Sequence, residues 1–221
     1  MLKKNMSAKV LTLATSKGGA GKSTLVRNLA AYWINIGFRV AVIDADPQGS
    51  IINRPASEGT LAKLVILPNP EESVSNTVEE ISNNFDYILI DTGGFRNKTT
   101  VMALLACQYA LIPLKPSSDD FVAAVETCSL IKELNRTPER IKSPIKYRMI
   151  ITMSQQGTII ARHVRLELQK GGFLVLSSEM YHRVAYPETA ITGTSPCIVD
   201  PDGAAARDVA KIAVELGKSF D

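Results

Sequence analysis

Short apolar runs alternate along the chain with segments in which apolar residues recur at helical spacing. The runs are mostly continuous rather than interleaved with polar residues, which is typical of strands buried on both faces. The pattern predicts strands at Val10–Ala14, Arg39–Asp44, Ala62–Leu67, Tyr87–Asp91, Ala110–Leu114, Tyr147–Thr152 and Phe173–Leu176. It predicts helices at Lys22–Ile36, Glu72–Asn83, Lys98–Ala106, Phe121–Leu134, Ile159–Gln169 and Ala204–Lys218. This order predicts an α/β fold with a largely parallel twisted sheet and helices on both faces.

The chain of 221 residues suits one compact domain, and no long linker, repeat or low-complexity tract divides it. We expect residues 1–8 to form a flexible tail and residues 9–221 to form a single domain. Two stretches have no periodicity and are expected to be irregular, Gln48–Thr60 and Tyr186–Pro201.

Composition narrows the class of protein. Hydrophobic residues make up 45% of the chain and charged residues 21%, which is ordinary for a globular protein. Three widely spaced cysteines without a CxxC pair argue for a reducing compartment and against a disulfide framework or a cysteine-rich metal site. The longest apolar run, Val101–Leu114, is interrupted by Gln108, and no apolar segment follows the first lysines. A membrane span and a signal peptide are therefore not expected, and we predict a cytoplasmic location.

A glycine-rich loop carries the chemistry: Lys17, Gly18, Gly19, Ala20, Gly21, Lys22, Ser23 and Thr24. It fits the phosphate-loop pattern G-x-x-x-x-G-K-[ST], except that Ser16 or Lys17 stands where the first glycine belongs. Glycines let backbone N–H groups approach phosphate oxygens, and the following helix points its positive end at them. Lys22 is expected to reach the β- and γ-phosphates of ATP, and Ser23 to coordinate Mg²⁺. A chance glycine turn is the alternative, but the strand before the loop and the helix after it favour the phosphate loop.

Two carboxylates follow predicted strands. Asp91 ends the apolar run that begins at Phe85, in the Walker B arrangement whose carboxylate holds Mg²⁺. Asp44 ends another buried run and precedes Asp46-Pro47, so a simple capped turn is its alternative interpretation. Because ligands of open α/β sheets bind at the carboxyl ends of the strands, the loop and both acids are expected at one edge.

The segment Lys17–Thr24 resembles the deviant Walker A signature KGGxGK[ST] of the ParA/MinD family of ATPases. The chain is most similar to small ParA-type partition ATPases that have no N-terminal helix-turn-helix. The resemblance implies a P-loop ATPase domain over residues 9–221 that dimerises on ATP, with Lys17 contacting the nucleotide of the partner subunit. The segment Asp44–Gln48 matches the family's DxDPQ, which places Asp44 near the attacking water and Mg²⁺. Lys17, Lys22 and Asp44 are thus the implied catalytic residues.

Two further segments match the family in part. After Asp91 the family has prolines where this chain has Gly93-Gly94, which predicts a more pliable second switch. The stretch Ile112–Phe121 resembles P-x-x-P-S-x-x-D-F, and it is either a rigid turn before a capped helix or part of the dimer face. Met153 follows a strand at the place where relatives contact adenine, so it joins the implied nucleotide-binding residues.

A basic surface is the candidate for DNA binding. From Lys132 to Arg183 there are ten basic and four acidic residues, a local excess of 10 − 4 = +6. Arg162 and Arg165 lie off the apolar stripe of the helix around them, and Arg183 matches a basic position of ParA-like relatives. These side chains suit nonspecific binding to double-stranded DNA, although an ordinary solvated helix face is the alternative.

The resemblance implies an ATP hydrolase with weak intrinsic activity that positions a plasmid, chromosome or other cargo and associates with the nucleoid. Its implied partners are a second copy of the chain, nonspecific DNA, and a ParB-like or small DNA-binding adaptor that stimulates hydrolysis. One alternative is a MinD-like membrane-cycling ATPase, but the C-terminal helix lacks the amphipathic pattern of an anchor, so no membrane partner is expected. Another is a metabolic ligase related to dethiobiotin synthetase, against which Lys17 argues.

Overall fold

The computed structural model describes residues 8–53, 60–68, 74–94 and 98–220. The predicted tail, residues 1–8, lies outside these residues apart from Ala8. Ala8 is buried, and its N–H donates to the carbonyl of Ser82.

A seven-stranded parallel sheet forms the centre of the molecule, in the order β3-β2-β4-β1-β5-β6-β7. Its strands are β1 Lys9–Leu13, β2 Val40–Ala45, β3 Val65–Pro68, β4 Tyr87–Thr92, β5 Tyr109–Leu114, β6 Lys146–Ser154 and β7 Met180–Tyr181. All residues of β2, β4 and β5 are buried, as their continuous apolar runs predict.

Within the described residues, eight helices cover the two faces of the sheet: α1 Lys22–Asn35, α2 Val74–Ile81, α3 Lys98–Ala106, α4 Ser118–Leu134, α5 Ile159–Lys170, α6 Ala185–Ile191, α7 Pro196–Val199 and α8 Ala204–Phe220. On one face, α1 and α8 pack in a core with alternate residues of the central strand such as Leu11. On the other, α2 to α5 pack in a second core that includes Val10. The predicted fold class is therefore confirmed.

Three local predictions are wrong. Phe173–Leu176 is not a strand, because only Val175 forms a bridge, to Met149, and the last strand lies further on at Met180–Tyr181. Residues 186–201, expected to be irregular, contain most of α6 and all of α7; these helices are too short for their periodicity to be read. The run predicted as a strand from Ala62 begins instead with a 3-10 turn, Thr60–Lys63, and becomes a strand at Val65.

The topology places the site. Strand β1 lies at the centre of the sheet, with β4, β2 and β3 on one side of it and β5, β6 and β7 on the other. The carboxyl ends of β1, β2 and β4 lead into the glycine-rich loop, Asp44 and Asp91, so the predicted edge is the one that gathers them. Among the described residues, no helix combines the length and apolar character needed to cross a membrane.

Candidate nucleotide-binding site

The glycine-rich loop joins the end of β1 to the start of α1. Gly19 and Gly21 have φ angles of 74° and 90°, a left-handed region that favours glycine. Gly21 is the N-cap of α1 and has no side chain to cap the helix. The first N–H groups of α1 therefore face the loop without a capping partner, and the positive end of the helix dipole lies there. This backbone suits the binding of an anion such as a phosphate.

Lys22 belongs to the loop itself. Its side chain is buried, and its ammonium Nζ donates to the carbonyl of Lys17 at 3.3 Å. Burial lowers the pKa of Lys22, while the charges of Asp91 and Asp46 act in the opposite direction. Lys22 is thus a buried cation within the glycine-rich loop, and its contact with the β- and γ-phosphates stays a prediction.

Asp44 and Asp91 are neighbours in the sheet, because they are register partners on β2 and β4. Asp44 Oδ2 accepts hydrogen bonds from the backbone N–H groups of Ile51 and Ile52 at 2.8 and 2.9 Å. Its carboxylate therefore holds the segment that follows β2, residues 46–53, against the sheet edge; we call this segment the first switch.

Asp91 is fully buried, and neither of its carboxylate oxygens makes a hydrogen bond of ordinary geometry. Burial raises its pKa to about 7, with a further rise from Asp44 and opposing effects of the Ser23 hydroxyl and the Lys22 ammonium. Oxygens left without a partner are what a hard divalent cation would satisfy. Within the described residues no group of three or more His, Cys, Asp or Glu is placed to hold a metal. The donors present suit Mg²⁺, which binds through few protein oxygens together with phosphates and water.

Lys17 points to a different place from Lys22. Its Nζ lies 2.8 Å from Asp120 Oδ2 and 3.4 Å from Asp119 Oδ2, both in the first turn of α4. Asp120 is buried and accepts further hydrogen bonds from Ser117 Oγ and from the N–H of Lys115. The hydrogen bond to Asp120 raises the pKa of Lys17. The sequence predicts this stretch only as a turn or a dimer face. The two successive acids at the start of its helix are the signal that could have pointed to a lysine partner.

The second switch touches the loop directly. A Cβ added to Gly94 would lie 2.7 Å from both Cα and N of Gly18. Glycine is therefore required at 94 for the two backbones to meet, which gives the departure from the family's prolines a physical reason. The residues that follow, 95–97, lie outside the described part of the chain.

Strand β6 closes the other side of the loop. The buried Thr152 hydroxyl donates to the carbonyl of Ala20 at 2.8 Å, and Met153 has a φ of 52°, rare for a residue other than glycine. Met153 and Thr24 border a cleft of about 300 Å³. Tyr181, Tyr186 and Pro187 also line it, and they were missed because they lie in or next to segments without periodicity. Most of the lining side chains of this cleft are apolar or aromatic, and the contact of Met153 with adenine stays a prediction.

The three predicted DNA-binding arginines are not equivalent. Arg162 is exposed on α5, as expected. Arg165 does not point freely outward, because its guanidinium donates to Glu179 at 2.7 Å and to the carbonyl of Leu176. Arg183 pairs with Asp208 at 2.9 Å and lines the cleft beside Thr24. The structure therefore does not gather the three into one surface of free charges.

Residues 11–196 match the family model described as the CobQ/CobB/MinD/ParA nucleotide binding domain. The chain belongs to this family. Nucleotide binding and the ParA/MinD resemblance are thereby confirmed, and the matched range includes the loop, both carboxylates and α4.

Similar proteins of this family include both positioning proteins and a metabolic enzyme. The chain is 26% identical over 208 residues to "Maintenance of carboxysome distribution protein A" of Halothiobacillus neapolitanus, covering 91% of this chain and 94% of that protein. A putative plasmid partition protein of Borrelia burgdorferi, solved with AMPPNP, has a TM-score of 0.72 at 19% identity, with 96% of this chain and 99% of that one covered. Cobyrinic acid a,c-diamide synthase of Mycobacterium smegmatis, solved with ADP and magnesium, has a TM-score of 0.67 at 20% identity, with 83% and 92% covered. At these identities the two structures establish the shared fold; their ligands, AMPPNP in the first and ADP with magnesium in the second, are of the classes predicted for this chain, ATP and Mg²⁺.

Proposed function

We propose that this chain is a ParA-like ATPase that forms a dimer on binding ATP, binds DNA nonspecifically and thereby positions a plasmid, chromosome or other cargo. A partner protein that stimulates hydrolysis would reset the cycle. The family membership and the full-length similarity to a carboxysome distribution protein support a positioning role, with a protein assembly among the possible cargoes.

One observation carries the proposal: the two lysines of the loop occupy different places. Lys22 is buried within the loop, whereas Lys17 is half exposed and held by α4. A single nucleotide site needs one lysine for the γ-phosphate. A second lysine whose side chain points away from the phosphate-binding part of the loop is therefore available to a neighbouring subunit. That role requires two chains to face each other across the nucleotide, and a metabolic ligase has no need of it.

The residues divide the chemistry among them. When bound, ATP supplies the phosphoryl group and Mg²⁺ spreads the charge that develops on it. The loop N–H groups from Gly18 to Thr24 and the ammonium of Lys22 bind and orient the phosphates. Ser23 and Asp91 offer oxygens for the metal. Asp44 would place the attacking water, and its bonds to Ile51 and Ile52 link that position to the first switch. Positioning and charge stabilisation are then the whole of catalysis, which accords with weak intrinsic turnover.

DNA binding is proposed to be electrostatic, with Arg162 as its exposed contact and Arg165 and Arg183 contributing through charge that their carboxylate partners reduce. A ParB-like or small DNA-binding adaptor is the proposed stimulating partner.

The membrane-cycling alternative has less support, because Val209, Ile212 and Leu216 of α8 are buried in the core and this apolar face is not free to enter a lipid surface.

The experiment that tests this proposal measures the affinity of the chain for random-sequence duplex DNA with ATP, with ADP and without nucleotide, at a series of salt concentrations. We expect binding only with ATP, a steep loss as salt rises, and no binding by Lys17→Gln. Lys211→Gln is the matched control, because Lys211 is an exposed lysine of α8 far along the chain from the loop.

Two results would change the proposal. Equal DNA binding with ATP, with ADP and without nucleotide would show that ATP does not control DNA binding by this chain. Dimerisation on ATP without DNA binding in any state would remove the DNA-carrier role, and vesicle binding under the same conditions would then favour the membrane-cycling alternative.

A further inference from the structure

A cleft of about 490 Å³ opens at the edge of the sheet opposite to the edge that holds the nucleotide site. It lies at the amino-terminal ends of β5 and β6, beside the C-terminal end of α8. Lys146, Arg148 and Lys218 line it, together with Tyr109, Tyr147 and Leu174. Its volume falls within the range of small-molecule sites and far exceeds that of a single water or ion.

The charge of the cleft is positive. In the described part of the chain, Lys146, Arg148 and Lys218 form no ion pair with a carboxylate. Arg148 donates to the carbonyl of Tyr147 at 3.0 Å, and Lys146 makes a long contact of 3.4 Å with the carbonyl of Ser219. The acidic neighbour is Glu215, whose two oxygens are occupied by the N–H groups of Ser177 and Ser178.

A buried donor lies in the same wall. The side chain of Tyr109 is 1% exposed, and its hydroxyl makes no hydrogen bond of ordinary geometry. Burial raises the pKa of this hydroxyl, while the nearby side chain of Ser219 has a smaller effect in the opposite direction, so the hydroxyl keeps its proton and can donate. Buried polar groups without a partner are rare in folded proteins, and an acceptor brought by a ligand would satisfy this one.

We propose that this cleft binds a small organic phosphate that joins a phosphate dianion to a flat apolar portion. Arg148, Lys146 and Lys218 would bind the phosphate oxygens, for which guanidinium and ammonium groups are the usual partners. Tyr109 would donate one further hydrogen bond, and Tyr147 and Leu174 would contact the apolar portion. The site is separate from the glycine-rich loop and does not depend on the proposed function.

The test uses the full chain saturated with Mg-ADP, so that the loop is filled, and phenyl phosphate as the probe. We expect saturable binding by calorimetry, with ¹⁵N amide shifts concentrated at residues 146–148 and 218–219. Arg148→Gln should weaken binding by about tenfold and Tyr109→Phe by about threefold, since each removes one hydrogen bond to the ligand. Benzyl alcohol, which has the ring without the charge, should bind far more weakly. Lys211→Gln should bind as the wild type does.

The proposal is overturned if phenyl phosphate shows no saturable binding, or if Arg148→Gln and wild type bind it equally. A short duplex tests whether the phosphate comes from nucleic acid instead. Shifts at residues 146–148 with the duplex but not with phenyl phosphate would also overturn the small-molecule proposal.

Discussion

Lys17 Nζ lies 2.8 Å from Oδ2 of Asp120, a carboxylate that is buried in the first turn of α4. The same carboxylate accepts from Ser117 Oγ at 2.7 Å, so its position is fixed from two sides. In the proposed dimer, Lys17 has to leave this partner in order to reach the nucleotide of the other subunit. The Lys17–Asp120 pair is therefore expected to favour the monomer.

The first prediction concerns Asp120→Asn. Asparagine keeps the size and one acceptor oxygen but removes the charge, so Lys17 is held less firmly. Half-maximal dimerisation should then need about threefold less AMPPNP than in the wild type. Sedimentation velocity at a series of AMPPNP concentrations measures it. Asp119→Asn is the control, because Asp119 is 80% exposed and 3.4 Å from Lys17, and it should shift the midpoint little. An unchanged or higher midpoint for Asp120→Asn would show that the pair does not restrain Lys17.

The second prediction follows from the buried charge of Asp91. Its folded-state pKa of about 7 is above the ordinary value of 3.8, so the folded state binds more protons than the unfolded state between those two values. The contribution of Asp91 to the free energy of unfolding therefore falls as pH rises from about 4 to 7. Without Mg²⁺ at pH 8, the free energy of unfolding of Asp91→Asn should exceed that of the wild type by roughly 4 kcal/mol. This difference should shrink as pH falls towards 4.

Urea unfolding of both proteins at pH 5 and pH 8 measures this difference, and adding Mg-ADP at pH 8 provides the functional control. Mg-ADP should stabilise the wild type and have much less effect on Asp91→Asn, because the variant replaces the charged carboxylate that is proposed to bind the metal with a neutral amide. Equal stability of the two proteins at pH 8 would mean that Asp91 is not an unsatisfied buried charge.

The third prediction concerns the contact between the second switch and the loop. Gly94→Ala places a Cβ 2.7 Å from the backbone of Gly18, so the two segments have to separate. We expect a loss of about 1–3 kcal/mol in the free energy of unfolding, as for other overpacked sites. Nucleotide affinity should fall with it, because the loop is displaced. Gly217→Ala, where an added Cβ meets open space within α8, is the control: nucleotide affinity should be unchanged, and the free energy of unfolding should rise by about 0.5–1 kcal/mol because alanine favours a helix more than glycine does. A Gly94→Ala variant with wild-type stability and affinity would contradict the contact.

The fourth prediction separates two arginines of α5. Arg162→Gln should reduce the slope of log affinity against log salt for duplex DNA by about one, with no change in stability. Arg165→Gln removes the same charge but leaves Glu179 without its cation, so it should lower the free energy of unfolding by about 1–3 kcal/mol. Fluorescence anisotropy and urea unfolding of the two variants provide the comparison. A reduced salt slope in Arg165→Gln alone would place the DNA contact at the paired arginine instead.

The fold was largely predictable because its strands are continuous apolar runs and its long helices have clear periodicity. The loop, Asp44 and Asp91 were predictable because each follows such a run. Asp120 and Gly94 were not, since what matters about them is a contact across the fold: a carboxylate 103 positions from its lysine, and a glycine whose missing Cβ makes room for Gly18. The pairing of Arg165 with Glu179 was hidden for the same reason.

The central claim is that the two lysines of the loop act in different subunits, and sedimentation of Lys17→Gln and Lys22→Gln with AMPPNP and Mg²⁺ tests it most directly. Nucleotide binding is measured on the same samples by fluorescence of a labelled ATP analogue. The account predicts that Lys17→Gln binds nucleotide nearly as the wild type does but stays monomeric, whereas Lys22→Gln loses nucleotide binding and, with it, the dimer. A Lys17→Gln variant that dimerises as the wild type does would contradict the account.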